Sequence, residues 1–176
     1  MMKFLILCTL LIIGISTISP VFDPTPVPIP YLDFERMAGT WYGIWSYPNS
    51  TNGTNATCWL NSVRTTEDGN ITWNSSITLN GTFVNHTISM VVASQQGSVW
   101  NSTNNTQLTW IAVDPVSYSW GLGVFGSELF AISRTKNLSS TIIQAQAQLA
   151  KKEGYGMETN LTLFYDNSNC TFSIKF

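Results

Sequence analysis

The 176-residue chain is poor in charge. Asp, Glu, Lys and Arg make up 10% of its residues, whereas charged side chains make up about 25% of an ordinary soluble domain. Its eight basic residues are outnumbered by ten acids and form no cluster, which argues against a nucleic-acid-binding protein. The chain is 44% hydrophobic with seven Trp, so it is not intrinsically disordered. Its solubility therefore needs a source other than charge.

Residues and motifs that perform catalysis or hold metals are also scarce. The chain has one His and three Cys, too few for a Cys/His zinc site. Neither a Gly-x-Ser-x-Gly elbow nor a His-Glu-x-x-His helix occurs in the sequence. We therefore predict a protein that is not an enzyme and that has no resident metal or cofactor.

The one long apolar run, residues 4–15, stands at the N-terminus behind Lys3. A short positive start, an apolar stretch and small residues near Ser16 predict a secretory signal peptide over 1–16, with cleavage as late as residue 19. The run is shorter than the ~18 residues that a transmembrane helix needs, so we predict no membrane span. The expected location is extracellular. A proline-rich lead, 20–32, then precedes a single domain over 33–176.

Loss of the signal peptide would remove Cys8 and leave two cysteines, Cys58 and Cys170. An even pair in an oxidising compartment usually forms a disulfide. We predict one that joins an early segment of the domain to its C-terminus.

Acceptor motifs for N-glycosylation, Asn-x-Ser/Thr, are unusually frequent. They include 12 of the 15 Asn residues, whereas chance predicts roughly 3 such motifs. The sequence therefore predicts a glycoprotein, in which glycosylated Asn side chains point outward from their strands. The acceptors are Asn49, Asn52, Asn55, Asn70, Asn74, Asn80, Asn85, Asn101, Asn104, Asn137, Asn160 and Asn169.

Short alternating segments separated by turn residues predict eight strands, an arrangement typical of an antiparallel sandwich or barrel. The predicted strands are 41–47, 58–65, 70–79, 82–93, 97–101, 107–114, 117–125 and 128–134.

A helix is predicted over 139–152, followed by a last strand over 158–165. Ile143, Ala147 and Ala150 form an apolar stripe at helical spacing. Thr141 and Gln144 suit a capping box at its start.

Three short motifs in order make the sequence resemble the lipocalins over about residues 33–172. Gly39 and Trp41 match the Gly-x-Trp signature of the first strand, Asp114 and Tyr118 match the hairpin of the second motif, and Arg134 matches the third. The resemblance implies an all-β, eight-stranded antiparallel up-and-down β-barrel with one C-terminal α-helix packed outside. It also implies that Arg134 lies over the Trp41 indole and that these motif residues support the fold.

The positions of Cys58 and Cys170 are most similar to those of the apolipoprotein D and insect lipocalin branch. Two departures stand out. The second motif reads Val113-Asp114-Pro115 where the family usually has Thr-Asp-Tyr, and no cysteines remain for the second disulfide that is frequent in that branch.

An eight-stranded barrel can hold one small ligand. Strand alternation, with sequons and Arg64 outward, predicts a mostly aromatic lining. The candidate ligand-binding residues are Trp45, Trp59, Asn61, Val63, Trp73, His86, Ile88, Met90, Tyr118 and Phe130.

Two functions fit these patterns. The first is a secreted glycoprotein that carries or sequesters a small hydrophobic molecule, such as a lipid, sterol, retinoid, pigment or pheromone. The second is an extracellular interaction glycoprotein whose barrel is filled and whose surface binds a partner such as a cell-surface receptor. A cavity of roughly 300 Å³ or more favours the first, and a collapsed interior favours the second.

Overall fold

The computed structural model of the chain describes residues 25–48, 55–66, 70–155 and 162–170. The predicted signal peptide and the sequons at Asn49, Asn52 and Asn160 lie outside these residues. The strands are β1 Gly39–Tyr47, β2 Ala56–Thr65, β3 Asn70–Leu79, β4 Thr82–Val92, β5 Val99–Ser102, β6 Gln107–Val113, β7 Trp120–Phe125, β8 Glu128–Ser133 and β9 Leu163–Phe164. The helices are α1 Phe34–Met37 and α2 Ser140–Lys152.

The first eight strands form a closed antiparallel barrel. Each strand from β2 to β7 pairs with the next one in sequence, and β1 pairs with both β8 and β2, which closes the ring. Closure separates this fold from a sandwich, which has two open sheets. The prediction of an eight-stranded up-and-down barrel with a helix outside it is therefore confirmed.

Strand β1 is shared between two neighbours on one side. Its first half, Gly39 to Tyr42, pairs with β2, whereas Trp45 and Ser46 pair with β9. Thr57 of β2 also forms a parallel bridge with Asp166. The C-terminal segment therefore lies between β1 and β2 at one end of the barrel, which we call the open end. The opposite end, covered by α1, is the closed end.

The predicted disulfide between Cys58 and Cys170 is confirmed, with Cα atoms 5.3 Å apart. Cys58 has a φ of 55° and lies in a bulge of β2, where the register with β3 shifts. Its backbone N–H donates to the carbonyl of Asp166 at 3.0 Å. The bridge and this hydrogen bond together hold the C-terminal segment against β2.

Buried apolar side chains form two separate layers. One fills the barrel and includes Trp41, Trp73, Trp100 and Trp110. The other lies between the outer wall of the barrel and α2, and Trp45 is buried there. The helix therefore completes a second core instead of capping the first.

The position predicted for Trp45 is wrong. It was expected on the inward face with Trp41, but the register between β1 and β8 shifts between Gly43 and Trp45. A bulge of this kind reverses the facing of the residues that follow it. Trp45 therefore points outward, where its Nε1 donates to Oε1 of Gln146 on α2 at 3.0 Å.

The inner face of α2 is more polar than its pattern predicted. Gln146 and Ala150 are its buried residues, while Leu149 is 37% exposed. The predicted stripe omitted Gln146, which is buried because it supplies the acceptor for Trp45. The N-cap is also different from the predicted capping box, since the Ser139 hydroxyl accepts from the backbone N–H of Ile142.

The end of the proline-rich lead packs as part of the barrel. The backbone N–H of Ile29 donates to the carbonyl of Trp110 at 2.9 Å, and that of Leu32 donates to Gln96 at 2.8 Å. Leu32 is 1% exposed and belongs to the interior core. Gly97 must remain a glycine here, because a Cβ on it would lie 2.5 Å from the Leu32 carbonyl oxygen.

Removing the disulfide tests how much the C-terminal segment depends on it. The bridge closes a loop with a sequence separation of 112 residues, for which the chain-entropy relation gives about 4 to 5 kcal/mol before any strain is subtracted. We expect the double variant Cys58→Ser/Cys170→Ser to lose about 2 to 5 kcal/mol of unfolding free energy in urea titrations. An unchanged urea midpoint would contradict this role.

Candidate ligand-binding site

The closed end of the barrel is sealed by Arg134. Its guanidinium carbon lies 3.7 Å from the centre of the Trp41 ring, a cation–π geometry. The same guanidinium donates to the carbonyls of Thr40, Arg36 and Ala38 at 2.9, 2.7 and 2.8 Å. Burial lowers the pKa of Arg134 to about 10, so it remains charged at neutral pH. This cluster supports the fold and faces no cavity.

The second motif lies at the same end. Asp114 accepts hydrogen bonds from the backbone N–H groups of Val116 and Ser117 and from the hydroxyls of Ser117 and Ser119. These bonds, those from the two hydroxyls above all, hold the pKa of the Asp114 carboxyl well below its usual range. The carboxylate therefore fixes the hairpin between β6 and β7.

Tyr118 was predicted as a ligand contact, but the structure places it in this closed-end cluster. Its hydroxyl accepts from the backbone N–H of Asp33 at 3.0 Å, and the Arg36 guanidinium lies 4.2 Å from the ring centre. The φ of 53° at Tyr118 turns the chain at this point, so strand alternation does not carry through the hairpin. Tyr118 joins α1 to the hairpin.

Three indole rings fill the half of the barrel nearest the closed end. Ring centres lie 6.3 Å apart for Trp73 and Trp100, 6.0 Å for Trp73 and Trp110, and 5.6 Å for Trp100 and Trp110. Asn61 accepts from the Trp73 Nε1 at 2.8 Å. Asn61 and Val63 face inward as predicted, but they pair with Trp41 and Gly39 near the closed end and lie outside the cavity lining.

Above these rings a cavity of about 180 Å³ lies towards the open end. Six of the ten candidate residues line it together: Trp59, Trp73, His86, Ile88, Met90 and Phe130. Four lining residues were not among the candidates: Ser75, Leu108, Phe125 and Glu128. The wall is mostly apolar and aromatic, with three polar groups.

Trp59 crosses the barrel interior because β1 leaves room for it. A Cβ on Gly43 would lie 1.8 Å from Cε3 of Trp59, so only glycine allows the indole to cover β1 here. The Trp59 Nε1 donates to the Ser75 hydroxyl at 2.8 Å. Its ring centre lies 5.9 Å from that of Phe130 and 4.7 Å from that of Tyr165. Trp59 is therefore a positioned wall of the cavity.

The polar groups occupy opposite walls. Ser75 and His86 are paired residues of β3 and β4, and the His86 side chain is exposed at the rim. Glu128 begins β8 on the other wall. Burial raises the pKa of the Glu128 carboxyl, and a hydrogen bond with Ser46 opposes this rise. No basic side chain of the described residues contributes to this shift.

Tyr165 completes the polar cluster around Glu128. Its hydroxyl and that of Ser46 lie 3.0 Å apart, within hydrogen-bond distance. Burial and the nearby Glu128 raise the pKa of Tyr165 to about 12, so the hydroxyl keeps its proton at neutral pH. Ser46 therefore links the carboxyl of β8 to the C-terminal segment.

The sequence did carry a signal for Glu128 and Phe125. Phe130 was assigned inward, and Glu128 precedes it by two residues on the same strand, so period-2 alternation places both on one face. Phe125 pairs directly with Glu128 across the β7–β8 hairpin. An acidic residue beside a turn is usually solvated, so alternation alone is a weak signal that Glu128 lines a cavity.

Comparison with solved structures identifies the architecture. The major allergen Per a 4 from cockroaches superposes with a TM-score of 0.62 at 15% identity, over 82% of this chain and 95% of the allergen. The siderocalin Ex-FABP gives 0.61 at 13% identity, over 74% and 93%. Apocrustacyanin C2 gives 0.60 at 16% identity, over 78% and 81%. The chain has the lipocalin fold.

No protein-family model and no curated protein matches the sequence. The similarity to lipocalin structures is one of fold, at sequence identities of 13 to 16%. Within the described ranges no helix is long and apolar enough to cross a membrane, and no group of three or more His, Cys, Asp or Glu is placed to hold a metal ion.

The desolvated carboxyl of Glu128 gives a stability test with a defined sign. Because its pKa is raised in the folded state, folding favours the neutral form, and this contribution is lost as the pH rises through the folded-state pKa. Glu128→Gln is neutral at every pH and can still accept from Ser46. We expect it to have a higher unfolding free energy than wild type at pH 7 and to lose this advantage at pH 3.

Urea unfolding at both pH values measures the difference, and Glu35→Gln, at an exposed carboxylate of α1, is the matched control. A difference between Glu128→Gln and wild type that is equal at pH 3 and pH 7 would show that burial does not act on the charge of Glu128.

Proposed function

We propose that this chain is a secreted glycoprotein that binds a small hydrophobic ligand in its barrel cavity and carries or sequesters it. The observation that carries the proposal is the cavity itself, walled by Trp59, Trp73 and Phe130 beneath an open end. Ligand sites of this kind combine apolar and aromatic walls with a few polar groups, and Ser75, His86 and Glu128 are those groups here. The role is binding, with no chemistry performed on the ligand.

The cavity volume narrows the class of ligand. About 180 Å³ is below the roughly 300 Å³ at which drug-sized sites begin, yet an apolar cavity of about 150 Å³ takes up benzene. The volume therefore favours a molecule with one ring and a short chain over a sterol or retinoid. A small pigment fragment or pheromone-sized compound fits this class better than a lipid does.

Secretion is supported by the Cys58–Cys170 bridge, since disulfides persist in oxidising compartments.

Glycosylation is supported by where Asn residues lie. Among the described sequons seven Asn side chains are exposed and two are partly exposed, Asn74 and Asn101. The two buried Asn residues of the described ranges, Asn61 and Asn167, belong to no sequon. Within the described ranges, every acceptor Asn is therefore at least partly exposed.

We further propose that the chain belongs to the lipocalin family, on the apolipoprotein D and insect branch. A bridge from the second strand to the C-terminus supports this branch. The siderocalin of similar fold is described as functioning through dual ligand specificities, which supports ligand binding as a use of this fold. Fold alone does not assign function, so the proposal depends on the cavity.

A second function, an interaction glycoprotein that acts through its surface, is favoured by one observation. The half of the barrel nearest the closed end is filled by Trp73, Trp100 and Trp110. The remaining cavity is smaller than the roughly 300 Å³ at which typical ligand sites begin. In the second-motif hairpin, Val116 is 82% exposed and is available to a receptor. This function predicts an unliganded barrel.

Native mass spectrometry of the protein from a secreting host separates the two functions. The carrier is expected to retain a small organic molecule, or to show quenching of Trp emission when single-ring apolar compounds are added. The absence of both would count against the carrier and leave the interaction function.

Filling the cavity should abolish binding. Ile88 lines the cavity, so Ile88→Trp places an indole in the space that a ligand needs. Ser89, the next residue of β4, is exposed, and Ser89→Trp adds the same group outside the barrel. We expect at least a tenfold loss of affinity for a single-ring apolar compound in Ile88→Trp and none in Ser89→Trp, measured by fluorescence titration. Equal affinity in both variants would place binding elsewhere.

Enzymatic release of glycans tests the source of solubility. An amidase converts each glycosylated Asn to Asp, so peptide mass mapping reports every occupied site. We expect conversion at exposed sequons such as Asn80, Asn85 and Asn104, and none at Asn61 or Asn167. The sugar-free protein should precipitate at a lower concentration than the native form. If it stays equally soluble, glycans do not compensate for the low charge.

A further inference from the structure

The cavity holds one acidic side chain in a wall that is otherwise mostly apolar. Glu128 lines it together with Trp59, Phe125 and Phe130. Removing a carboxylate from water costs free energy unless a cation or several hydrogen bonds compensate. The described residues provide Glu128 with a hydrogen bond from Ser46 and with no cation. Among the residues that the structure describes, this carboxyl therefore has no cationic partner.

The surrounding rings favour a partner of positive charge. The faces of Trp and, more weakly, Phe attract an ammonium group through their quadrupole. Trp59 contacts Phe130 at 5.9 Å and Tyr165 at 4.7 Å between ring centres, so the rings form a connected aromatic wall. Phe125 pairs with Glu128 across the hairpin. Rings and carboxylate together make a site of the kind that recognises ammonium ligands.

We infer that the cavity selects a small protonated amine with a single-ring apolar body, whose ammonium group pairs with the Glu128 carboxylate. This inference rests on the proposed ligand-binding function and specifies the chemical class of its ligand. The apolar body lies against Ile88, Met90 and Leu108 on the inner wall. A carboxylic acid of the same size is excluded, because its charge would repel that of Glu128.

Ser46 and Tyr165 hold the carboxylate in place for this role. The Ser46 hydroxyl contacts both Glu128 and the Tyr165 hydroxyl. Tyr165 follows β9, whose pairing with β1 and whose tether through Cys58–Cys170 fix the C-terminal segment. The acidic group is thus oriented by three parts of the fold, β1, β8 and the C-terminal segment. A carboxylate fixed in this way needs little reordering when an amine binds.

Three probes of matched size test the inference on the wild-type protein: 2-phenylethylamine, 2-phenylethanol and 3-phenylpropanoate. The amine is protonated at pH 7, as alkyl ammonium groups are. Trp fluorescence titration at pH 7 and low salt is expected to rank their affinities amine, alcohol, acid, with at least a tenfold advantage of amine over alcohol. Equal affinities for amine and alcohol would overturn the inference and leave the carrier function intact.

The variant Glu128→Gln removes the charge and keeps the shape. It is expected to lose the tenfold preference for the amine over 2-phenylethanol, measured as the ratio of the two affinities in the same variant. Glu35→Gln, which removes the same charge from exposed α1 at the closed end, is expected to keep that preference. An amine preference that survives Glu128→Gln would overturn the inference. If wild type binds neither amine nor alcohol, this inference fails, and the molecule retained in native mass spectrometry then decides the carrier function.

Discussion

Strand β1 pairs with three other strands, and its register with β8 shifts at a bulge between Gly43 and Trp45. Before the bulge Trp41 points into the barrel, where Arg134 covers it and closes one end. After the bulge Trp45 points outward and anchors α2 through Gln146. The inner core and the outer core therefore depend on one change of facing within nine residues. Gly43 has a further effect, because the Trp59 indole at the cavity wall occupies the space that a side chain at position 43 would fill.

The interior divides into a filled half and an empty half for a geometric reason. Indole rings are large, and three of them, Trp73, Trp100 and Trp110, meet at centre distances of 5.6 to 6.3 Å near the closed end. Towards the open end the C-terminal segment enters between β1 and β2, which moves those strands apart. The cavity lies beyond these rings, between Trp59 of β2 and the inward side chains of β3, β4 and β6 to β8. Its small volume follows from how much of the barrel the indoles occupy, and the same rings make its walls aromatic.

Most of the fold could be predicted from sequence because it follows from periodicity and turns. Alternation located β2, β3 and β4 to within about two residues, and it placed Trp59, Trp73, His86, Ile88 and Met90 on the inward face. The failures at Trp45 and Tyr118 share one physical cause, a local break in that alternation. The bulge in β1 moved Trp45 to the outer core, and the hairpin of the second motif moved Tyr118 to the closed end. Asn61 and Val63 face inward but lie too deep, since depth depends on barrel register and not on facing. Bulges arise from pairing between strands, so a single strand's pattern does not reveal them.

Several of the few charged residues stabilise the barrel or line its cavity. Arg134 seals the barrel base, Arg36 joins α1 to the second-motif hairpin, and Asp114 fixes that hairpin with its hydrogen bonds. Glu128 faces the cavity. Each of these four side chains makes an intramolecular contact or lines the interior, which leaves fewer charges for the surface, where Glu35, Lys151 and Lys152 are among those exposed. Neutral Asn, Ser and Thr must then interact with water, and among the described residues the sequon Asn side chains are all at least partly exposed while both buried Asn lie outside sequons. In the proposed glycoprotein, glycans on these neutral acceptors would supply the solubility that charge does not, while Arg134, Arg36 and Asp114 close the barrel and Glu128 gives its cavity an acidic group.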